Sequence, residues 1–507
     1  MIYKLINSIF ILVVIIMTNI IFGTANREGV FSNENNFVIF GTLFLSSSKI
    51  YTSDNPKYIL KDFKPFFHLT NVKILVKTKI KYITDNCYAI IRLNEKNIGN
   101  VIKYFPITIS DSELLYQLSI CHWNLKQKFT LLNIHQDRQI ITNDIFSIDP
   151  ENCTDIDDAL HISKINNYIE IGIHISDVSS YISQDVFLEL QNRISSLYFD
   201  KTIHMFPDNI MKEMSLTSDK QKRAFSILIL FDETLTIQNV QFVKSIIHVK
   251  NNLSYNNVNS FVDNLYNFAL LLNNKYNYYE KYDIHNMVAI YMLIANNLVA
   301  SKIASYDSKN VLLRRQLEKT TNKKLINTFN DILIDKHNMY QNESAEYIIG
   351  TENAYHSNLN MNLYTHMTSP LRRYVDIIVH TQLNNVLCSE PLFTNFDINQ
   401  INKINKYYKH LYSYYKTINI SEINQIYKAY IVNIEFNYFA IYIPDLKLDT
   451  FVIPIHYELL SIYEIIFDNT KCIIKHNNKI NEYKLFDIIL VNILKINNKI
   501  ILSLVNC

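Results

Sequence analysis

The chain has 507 residues, of which 48% are hydrophobic, 19% charged and 13% aromatic; this mixture excludes a disordered chain and, at roughly 150 residues per domain, implies about three domains. Lys and Arg number 49 against 47 Asp and Glu, a formal net charge of +2, so no global field marks nucleic acid or membrane as a partner and any such partner has to be read locally. Only 6 glycines occur, and none are spaced to build a G-x-G-x-x-G fingerprint, a Walker A loop or a G-x-S-x-G elbow, which excludes the usual mononucleotide-binding and α/β-hydrolase readings. The cysteines (Cys87, Cys121, Cys153, Cys388, Cys472 and Cys507) form no C-x-x-C pair. That scatter argues against a zinc ribbon or a disulfide scaffold and fits a reducing compartment.

At the amino terminus, Lys4 precedes an apolar run from Leu5 to Phe22 that ends in Gly23-Thr24-Ala25. Two readings stand: a targeting segment or membrane anchor, and a buried strand, since Asn7, Ser8, Thr18 and Asn19 interrupt the run. Residues 20–125 read as short strands. Within them Lys73, Lys77, Lys79 and Lys81 share one parity and Ile74, Val76 and Ile80 the other, the pattern of an amphipathic strand with a cationic face. Taken alone, such a face reads as a solvated sheet surface. Strands alternate with turns over 140–250. Helical spacing follows over 255–305, where Phe261, Leu265, Phe268, Leu271 and Leu272 form a core-type stripe, and again over 371–418. From Tyr427 onward the pattern returns to strands, ending in a hairpin around Asn497-Asn498, and suggests a five-stranded barrel.

The segment from Ser147 to Leu160 carries Asp149, Asp155, Asp157 and Asp158 between two strand-like runs. Like charges in one loop repel by about 1 kcal/mol per close pair in water and more in a cleft, so a fold tolerates them where something positive sits among them. Hard oxygen donors point to Mg²⁺, with Mn²⁺ as the alternative. Magnesium takes a few carboxylates and leaves its remaining positions to water and phosphate, which is phosphodiester chemistry. A solvated acidic loop is the plain alternative; an EF-hand is excluded because its glycine and terminal glutamate are missing.

A second constellation runs from Tyr364 to Asp376. Thr368 or Ser369 reads as an N-cap, Pro370 as the first helical turn, and Arg372 and Arg373 follow. Arginines near a helix N-terminus oppose its dipole and need an anion, either a carboxylate such as Asp376 or a phosphate.

With these two segments, and with Ile171-Gly172-Ile173-His174-Ile175-Ser176-Asp177-Val178-Ser179, Met292 to Asn296, Leu312-Leu313-Arg314-Arg315 and Thr365 through His380 in the same order, the chain resembles the RNB family. That family holds the catalytic domain of bacterial ribonucleases II and R and of the eukaryotic exosome's processive exoribonuclease, and the match is close to the eukaryotic branch. The resemblance implies a multidomain α+β fold in which an RNB catalytic domain, a mixed sheet with helices, is flanked by cold-shock-like OB barrels and a carboxy-terminal S1-like OB barrel. The expected division is an apolar segment at 1–22, OB domains at 23–70 and 71–130, the catalytic domain at 131–420 and the S1-like domain at 421–507.

The resemblance further implies a hydrolytic 3′-to-5′ exoribonuclease that releases 5′-mononucleotides from single-stranded RNA. Asp149, Asp155, Asp157 and Asp158 then form the magnesium site, Arg372 contacts the scissile phosphate, and Tyr198 stacks on the terminal base. Arg373 and the Lys73, Lys77, Lys79 and Lys81 face are expected RNA contacts. No small-molecule cofactor is expected. The protein is expected in the nucleus or cytoplasm, with secretory or organellar targeting and membrane contact tied to residues 1–25. The eukaryotic relative's endonuclease and tethering domain has no counterpart before the barrel-like sequence, which puts an exosome core in doubt as a partner. The loop after Tyr198 is one residue shorter than usual, Leu312 stands near the place of a second stacking aromatic, and Gln316 and Thr381 stand where His and Arg are common. The competing reading is a catalytically silent RNA-binding regulator of the same fold, whose signature would be loss of the aspartates; a third is a secreted or anchored nuclease.

Overall fold

The computed structural model describes residues 38–46, 51–52, 58–65, 74–78, 85–93, 98–106, 113, 137–191, 193–199, 202–256, 260–279, 282–317, 333, 336–337, 344–418, 424–435, 438–446, 451–454, 464–468, 471–476, 479–496 and 499–504. The Leu5 to Phe22 run and Lys73, Lys79 and Lys81 lie outside the described residues. Two compact units are present: residues 1–124, 319–341 and 410–507 form one, residues 125–318 and 342–409 the other. The expected catalytic domain, 131–420, therefore differs from the compact unit by the 319–341 excursion and by its carboxy-terminal end.

In the first unit, six strands form one sheet: β1 (Val38–Leu43), β2 (Tyr51–Thr52), β3 (Ile59–Pro65), β4 (Ile74–Thr78), β5 (Cys87–Leu93) and β6 (Ile98–Phe105). Their order is β1-β5-β6-β4-β3-β2, and β1 also pairs with β3, which closes the ring. The β4–β6 pair is parallel and the others are antiparallel. This is the Greek-key closure of an OB barrel. It corrects the expected boundary at 70/71: strands on both sides of that point complete the same sheet, because β3 pairs with β4 and β1 with β5. In β4, Ile74, Val76 and Thr78 are buried while Leu75 and Lys77 are half-buried, the alternation read from the sequence. Inside, Leu43, Val76, Ala89 and Ile91 are fully buried.

The second unit is built on a seven-stranded sheet. Its strands are β7 (Gln139–Ile140), β8 (Ile145–Asp149), β9 (Asp158–Ile165), β10 (Tyr168–Ser176), and, after a small hairpin of β11 (Leu197–Tyr198) and β12 (Thr202–Ile203), β13 (Lys222–Phe231), β14 (Ile237–Ile247) and β15 (Val249–Ser254). The order is β15-β8-β9-β10-β13-β14-β7. Two short helices, α1 (Gln184–Leu190) and α2 (Asp208–Met214), interrupt the stretch expected to be strands and turns. Ile171, Ile173 and Ile175 of β10 point to the buried face. β9 and β10 are joined by a two-residue turn with Asn166 at φ +53°.

The helical stretch expected over 255–305 breaks into α3 (Ser260–Tyr276) and α4 (Ile284–Tyr306). Asp283 starts α4 with a capping box, accepting from the Asn286 N–H while its own N–H donates to Asn286 Oδ1, both at 2.9 Å. Among the described residues α4 is the one helix long and apolar enough to cross a membrane, yet Met287, Ile290, Tyr291, Ala295, Val299 and Ile303 are all fully buried in the protein, so its apolarity is accounted for by core packing. The 371–418 stretch likewise divides, into α5 (Tyr374–Cys388) and α6 (Ile398–Ile418), with Ser389 in the left-handed region at φ +57° ending α5. A small ribbon of β16 (Leu312–Arg315) and β17 (Glu346–Ile349) completes the unit.

The carboxy-terminal part of the first unit holds β18 (Asn424–Glu435), β19 (Tyr438–Tyr442), β20 (Phe451–Pro454), β21 (Glu464–Asp468), β22 (Lys471–His476), β23 (Lys479–Lys484), β24 (Ile488–Ile496) and β25 (Lys499–Leu504). Five strands run in the order β20-β19-β18-β24-β25, which is the OB order opened between its third and fifth strands, and β21-β22-β23 form a separate three-stranded meander. The last two strands pair as Ile496↔Lys499, the expected hairpin. Ala429, Ile431, Phe439, Ile441, Val491 and Ile493 make its core.

Candidate active site

Asp149 ends β8 and Asp158 begins β9, so strand pairing fixes the two ends of the acidic loop while the loop itself carries Asp155 and Asp157. Asn152 takes a left-handed conformation at φ +62° and the Cys153 N–H closes a turn on the Pro150 carbonyl. Ser215, at the end of α2, braces the loop: its hydroxyl accepts from the Ile156 N–H at 2.9 Å and donates to the Thr154 carbonyl at 3.0 Å. Buried Ile156 anchors the apolar side.

Each aspartate has a different environment. Asp157 is buried and both its oxygens are engaged, Oδ1 by the Leu371 N–H at 2.8 Å and Oδ2 by Arg372 Nε at 3.1 Å. Burial pushes its pKa up to about 7 against the pull of Arg372 and the Leu371 N–H. Asp155 accepts the Tyr198 hydroxyl at 2.5 Å and is approached by the Cys153 thiol at 3.5 Å. Burial, then the charges of Asp149 and Asp155, push that thiol up to about 12, so it stays protonated. Asp149 is hydrogen-bonded by Ser147, which is itself held by the Asn252 amide at 2.8 Å, while its buried Oδ2 has no partner among the described residues. Burial raises Asp149 to about 6, with Asp155 adding to the shift. Asp158 is raised well above the carboxylate range by burial and then by Asp149 and Asp157.

An orphaned buried carboxylate oxygen and carboxyls driven toward protonation are what a site built for a cation presents when none is bound. The donor set, oxygens only, suits a hard ion such as Mg²⁺. Among the described residues no three His, Cys, Asp or Glu side chains are already arranged as a cage; Asp155 and Asp157 are held by Tyr198 and Arg372, and Asp149 and Asp158 are the less committed pair.

The Thr368 to Asp376 segment differs from its expected form. The helix begins at Tyr374, with Arg373 as its cap, and not at Ser369 and Pro370. Tertiary pairing overrides the cap signal: Arg373 is extended and bridges Ser195, the Ser196 N–H donates to the Arg372 carbonyl and the Tyr374 N–H to the Ile194 carbonyl, each at 2.9 Å. The carboxylate of Asp376 reaches back to accept the Ser369 N–H at 2.7 Å and the Arg373 guanidinium at 2.8 Å. Arg373 is thus spent on a protein carboxylate. Arg372, whose side chain is 42% exposed, is also held by Ser369 Oγ at 2.9 Å.

The structure therefore forms two hydrogen-bonded pairs, Asp157 with Arg372 and Asp155 with Tyr198, near enough for the charges of Tyr198 and Asp155 to act on Arg372. Tyr198 is 40% exposed on the hairpin of β11 and β12, its ring accessible. The Lys77 position lies in the other unit. Tyr255 was not singled out in the sequence: its N–H donates to the Asp149 carbonyl at 3.2 Å, its ring meets His285 at 4.0 Å, and burial followed by Asp158 and Asp149 raises its hydroxyl to about 12. Only the pairing of β15 with β8 places it there.

Residues 138–270 and 266–389 match the family model described as the RNB domain. The mouse exosome complex exonuclease RRP44 is 26% identical over 335 residues, covering 50% of this chain and 35% of that protein. Ribonuclease R 2 of Lactococcus lactis is 25% identical over 327 residues, 49% of each chain. Between 35% and 49% of the length of these two relatives is spanned. Among solved structures, RNase R of Mycoplasma genitalium in complex with ribose-methylated single-stranded RNA is similar with a TM-score of 0.69 at 16% identity, over 94% of this chain and 90% of that one. Yeast Ssd1, described as a pseudonuclease, is similar with a TM-score of 0.67 at 19% identity, over 88% and 69%. Both structural likenesses speak to the fold alone.

Proposed function

We propose, from the premise that this chain belongs to the RNB family, that it is a hydrolytic 3′-to-5′ exoribonuclease that degrades single-stranded RNA to 5′-mononucleotides in RNA processing and decay. The observation that carries this reading is the intact aspartate loop, tied through Asp157 to Arg372 and the Leu371 N–H. Asp149 and Asp158, with Asp155 and Asp157 beside them, would hold Mg²⁺ or Mn²⁺. When bound, such ions supply Lewis-acid stabilisation at the phosphate and a more acidic water.

The chain's own groups have separate tasks. Asp157 and Ser369 Oγ fix the Arg372 guanidinium through Nε and Nη2, which leaves Nη1 to face a phosphate oxygen. Removing a donor of that kind costs about 10²- to 10³-fold in rate. Asp155 orients the Tyr198 ring by holding its hydroxyl, and a ring so held can stack on a terminal base without sequence preference. Successive cleavage with retention of the RNA is the processive behaviour we assign to it. Action inside the cell, in nucleus or cytoplasm, follows the exosome subunits and bacterial RNases among its relatives.

Purified protein, incubated with end-labelled single-stranded RNA and Mg²⁺, should yield mononucleotides. Asp158→Asn, which has no protein donor to lose among the described residues, should reduce the rate by about 10²-fold or more and leave RNA binding in place. Absence of mononucleotides from wild type would overturn the enzyme reading. The second reading, a silent RNA-binding regulator, draws on the commitment of Asp155 and Asp157 to protein donors; it expects wild type to bind RNA and cleave no more than Asp158→Asn.

A further inference from the structure

Four arginines lie on two segments of the second unit: Arg314 and Arg315 on β16, Arg372 and Arg373 just before α5. Three of them have carboxylates. Arg315 pairs with Glu346 at 2.7 Å, Arg372 with Asp157 at 3.1 Å and Arg373 with Asp376 at 2.8 Å. Arg314 has no carboxylate partner among the described residues. Its guanidinium lies over the ring of Tyr347, 5.0 Å from the centroid, on the residue directly opposite it in the β16–β17 register.

The base beneath Arg314 is rigid. The Tyr347 hydroxyl lies 2.7 Å from His366 Nδ1, and the Arg314 N–H donates to the Tyr364 carbonyl at 2.8 Å. A guanidinium laid on an aromatic face is pre-oriented, and the part of the Arg314 fork not hydrogen-bonded to Tyr347 is left for a planar anion. Asn402 of α6 accepts from the Tyr347 N–H at 2.9 Å and donates to its carbonyl at 2.8 Å, which fixes this helix beside Arg314; Lys406 and Lys409, one and two turns further along it, likewise lack carboxylate partners among the described residues, and the pKa of Lys409 is lowered by burial and then by the charges of Arg314 and Lys406. Cations that act on one another with no counter-charge raise the energy of the free protein, a cost that an arriving anion removes.

We propose that Arg314, with Lys406 and Lys409, binds a backbone phosphodiester of single-stranded RNA other than the one faced by Arg372. The inference rests on the exoribonuclease reading and adds a second phosphate contact to it. A phosphodiester fits because the cluster offers a bidentate donor and point charges, with no side-chain acceptor among the three to read a base.

The test is equilibrium binding of a fluorescein-labelled oligoadenylate in EDTA, measured against salt for wild type, Arg314→Gln and Arg314→Lys. Arg314→Gln should weaken binding and reduce the magnitude of the log K against log salt slope by about 0.7, the release expected for one single-strand phosphate, and Arg314→Lys should restore the slope. A merely structural residue would weaken binding without changing the slope. An unchanged slope in Arg314→Gln therefore overturns the proposal, while mononucleotide release by wild type in Mg²⁺ keeps the nuclease reading. Binding of AMP is the second arm. If Arg314→Gln loses AMP affinity and keeps the RNA slope, the site takes a terminal phosphate and the proposal is again overturned. Wild type that neither binds nor cleaves RNA removes both.

Discussion

Two polar regions sit along the same strands of the seven-stranded sheet and could hardly be more differently treated. Three residues after Asp158, β9 carries His161, which is fully buried beside His174 of β10, also fully buried. Glu170 Oε1 lies 3.1 Å from His161 Nε2, His161 Nδ1 lies 2.8 Å from His174 Nε2, His174 Nδ1 lies 2.6 Å from Ser226 Oγ, and Ser226 lies 2.6 Å from the Ser245 hydroxyl. One consistent assignment satisfies all of them with neutral rings: His161 donates to Glu170, His174 to His161, Ser226 to His174 and Ser245 to Ser226. The carboxylate loop, by contrast, leaves Asp149 Oδ2 orphaned and gathers like charges. A satisfied network across four strands specifies register, whereas an unsatisfied one is retained at a cost in stability and marks a place for a ligand.

The comparison breaks most severely at Gly172. A Cβ there would stand 2.1 Å from the His161 ring, and both the ring and its hydrogen bonds would have to move. Overpacking costs about 1–3 kcal/mol and a buried group left unpaired about 1–3 more, so Gly172→Ala should destabilise the unit by about 4 kcal/mol. Urea denaturation followed by far-UV circular dichroism would show it, and a variant as stable as wild type would mean the histidines are not held as described. Ser226→Ala removes one link only. It should cost about 2 kcal/mol, the penalty for leaving His174 Nδ1 without a partner, measured the same way.

The contrast between the regions also sets what the sequence could disclose. The four aspartates and Arg372 stood out because they lie in short, chemically unusual segments, whereas Tyr198 was singled out only by the family resemblance; the structure pairs Asp155 with Tyr198 and Asp157 with Arg372. The salt-bridge reading of Arg373 was legible too, from Asp376 one helical turn on. The start of α5 was not, because Ser369 and Pro370 carry a valid local signal that the bridge between Ser195 and Arg373 overrides. Tyr255 could not be found from spacing, since its place depends on a parallel pairing of β15 with β8, which are about a hundred residues apart in sequence. Nor could the single closed barrel of β1 to β6 be told from two smaller ones: alternation marks strands, while closure is a matter of which strands pair.

The smallest effect is the sharpest test, because the two regions respond to pH with opposite sign. The buried ring of His174 has its pKa well below the ordinary value, first through burial and then through His161. A base so lowered lets the unfolded chain bind more protons, so its contribution to stability is complete above pH ~6.5 and is lost as pH falls below that. Asp149, raised to about 6 chiefly by burial, does the reverse: below pH ~4 both states are protonated and nothing is lost, and the penalty grows until the pH passes ~6. In EDTA, then, Asp149→Asn should stabilise the protein by about 1 kcal/mol at pH ~7.5, a value discounted because the side chain is only half-buried, and by nothing at pH ~4. Adding Mg²⁺ should erase that advantage, because wild type then gains binding free energy that the variant has forfeited. A variant equally stabilised at both pH values would place the effect in packing and not in the carboxylate charge, and one destabilised at pH ~7.5 without metal would show that Asp149 already has a counter-charge in the protein.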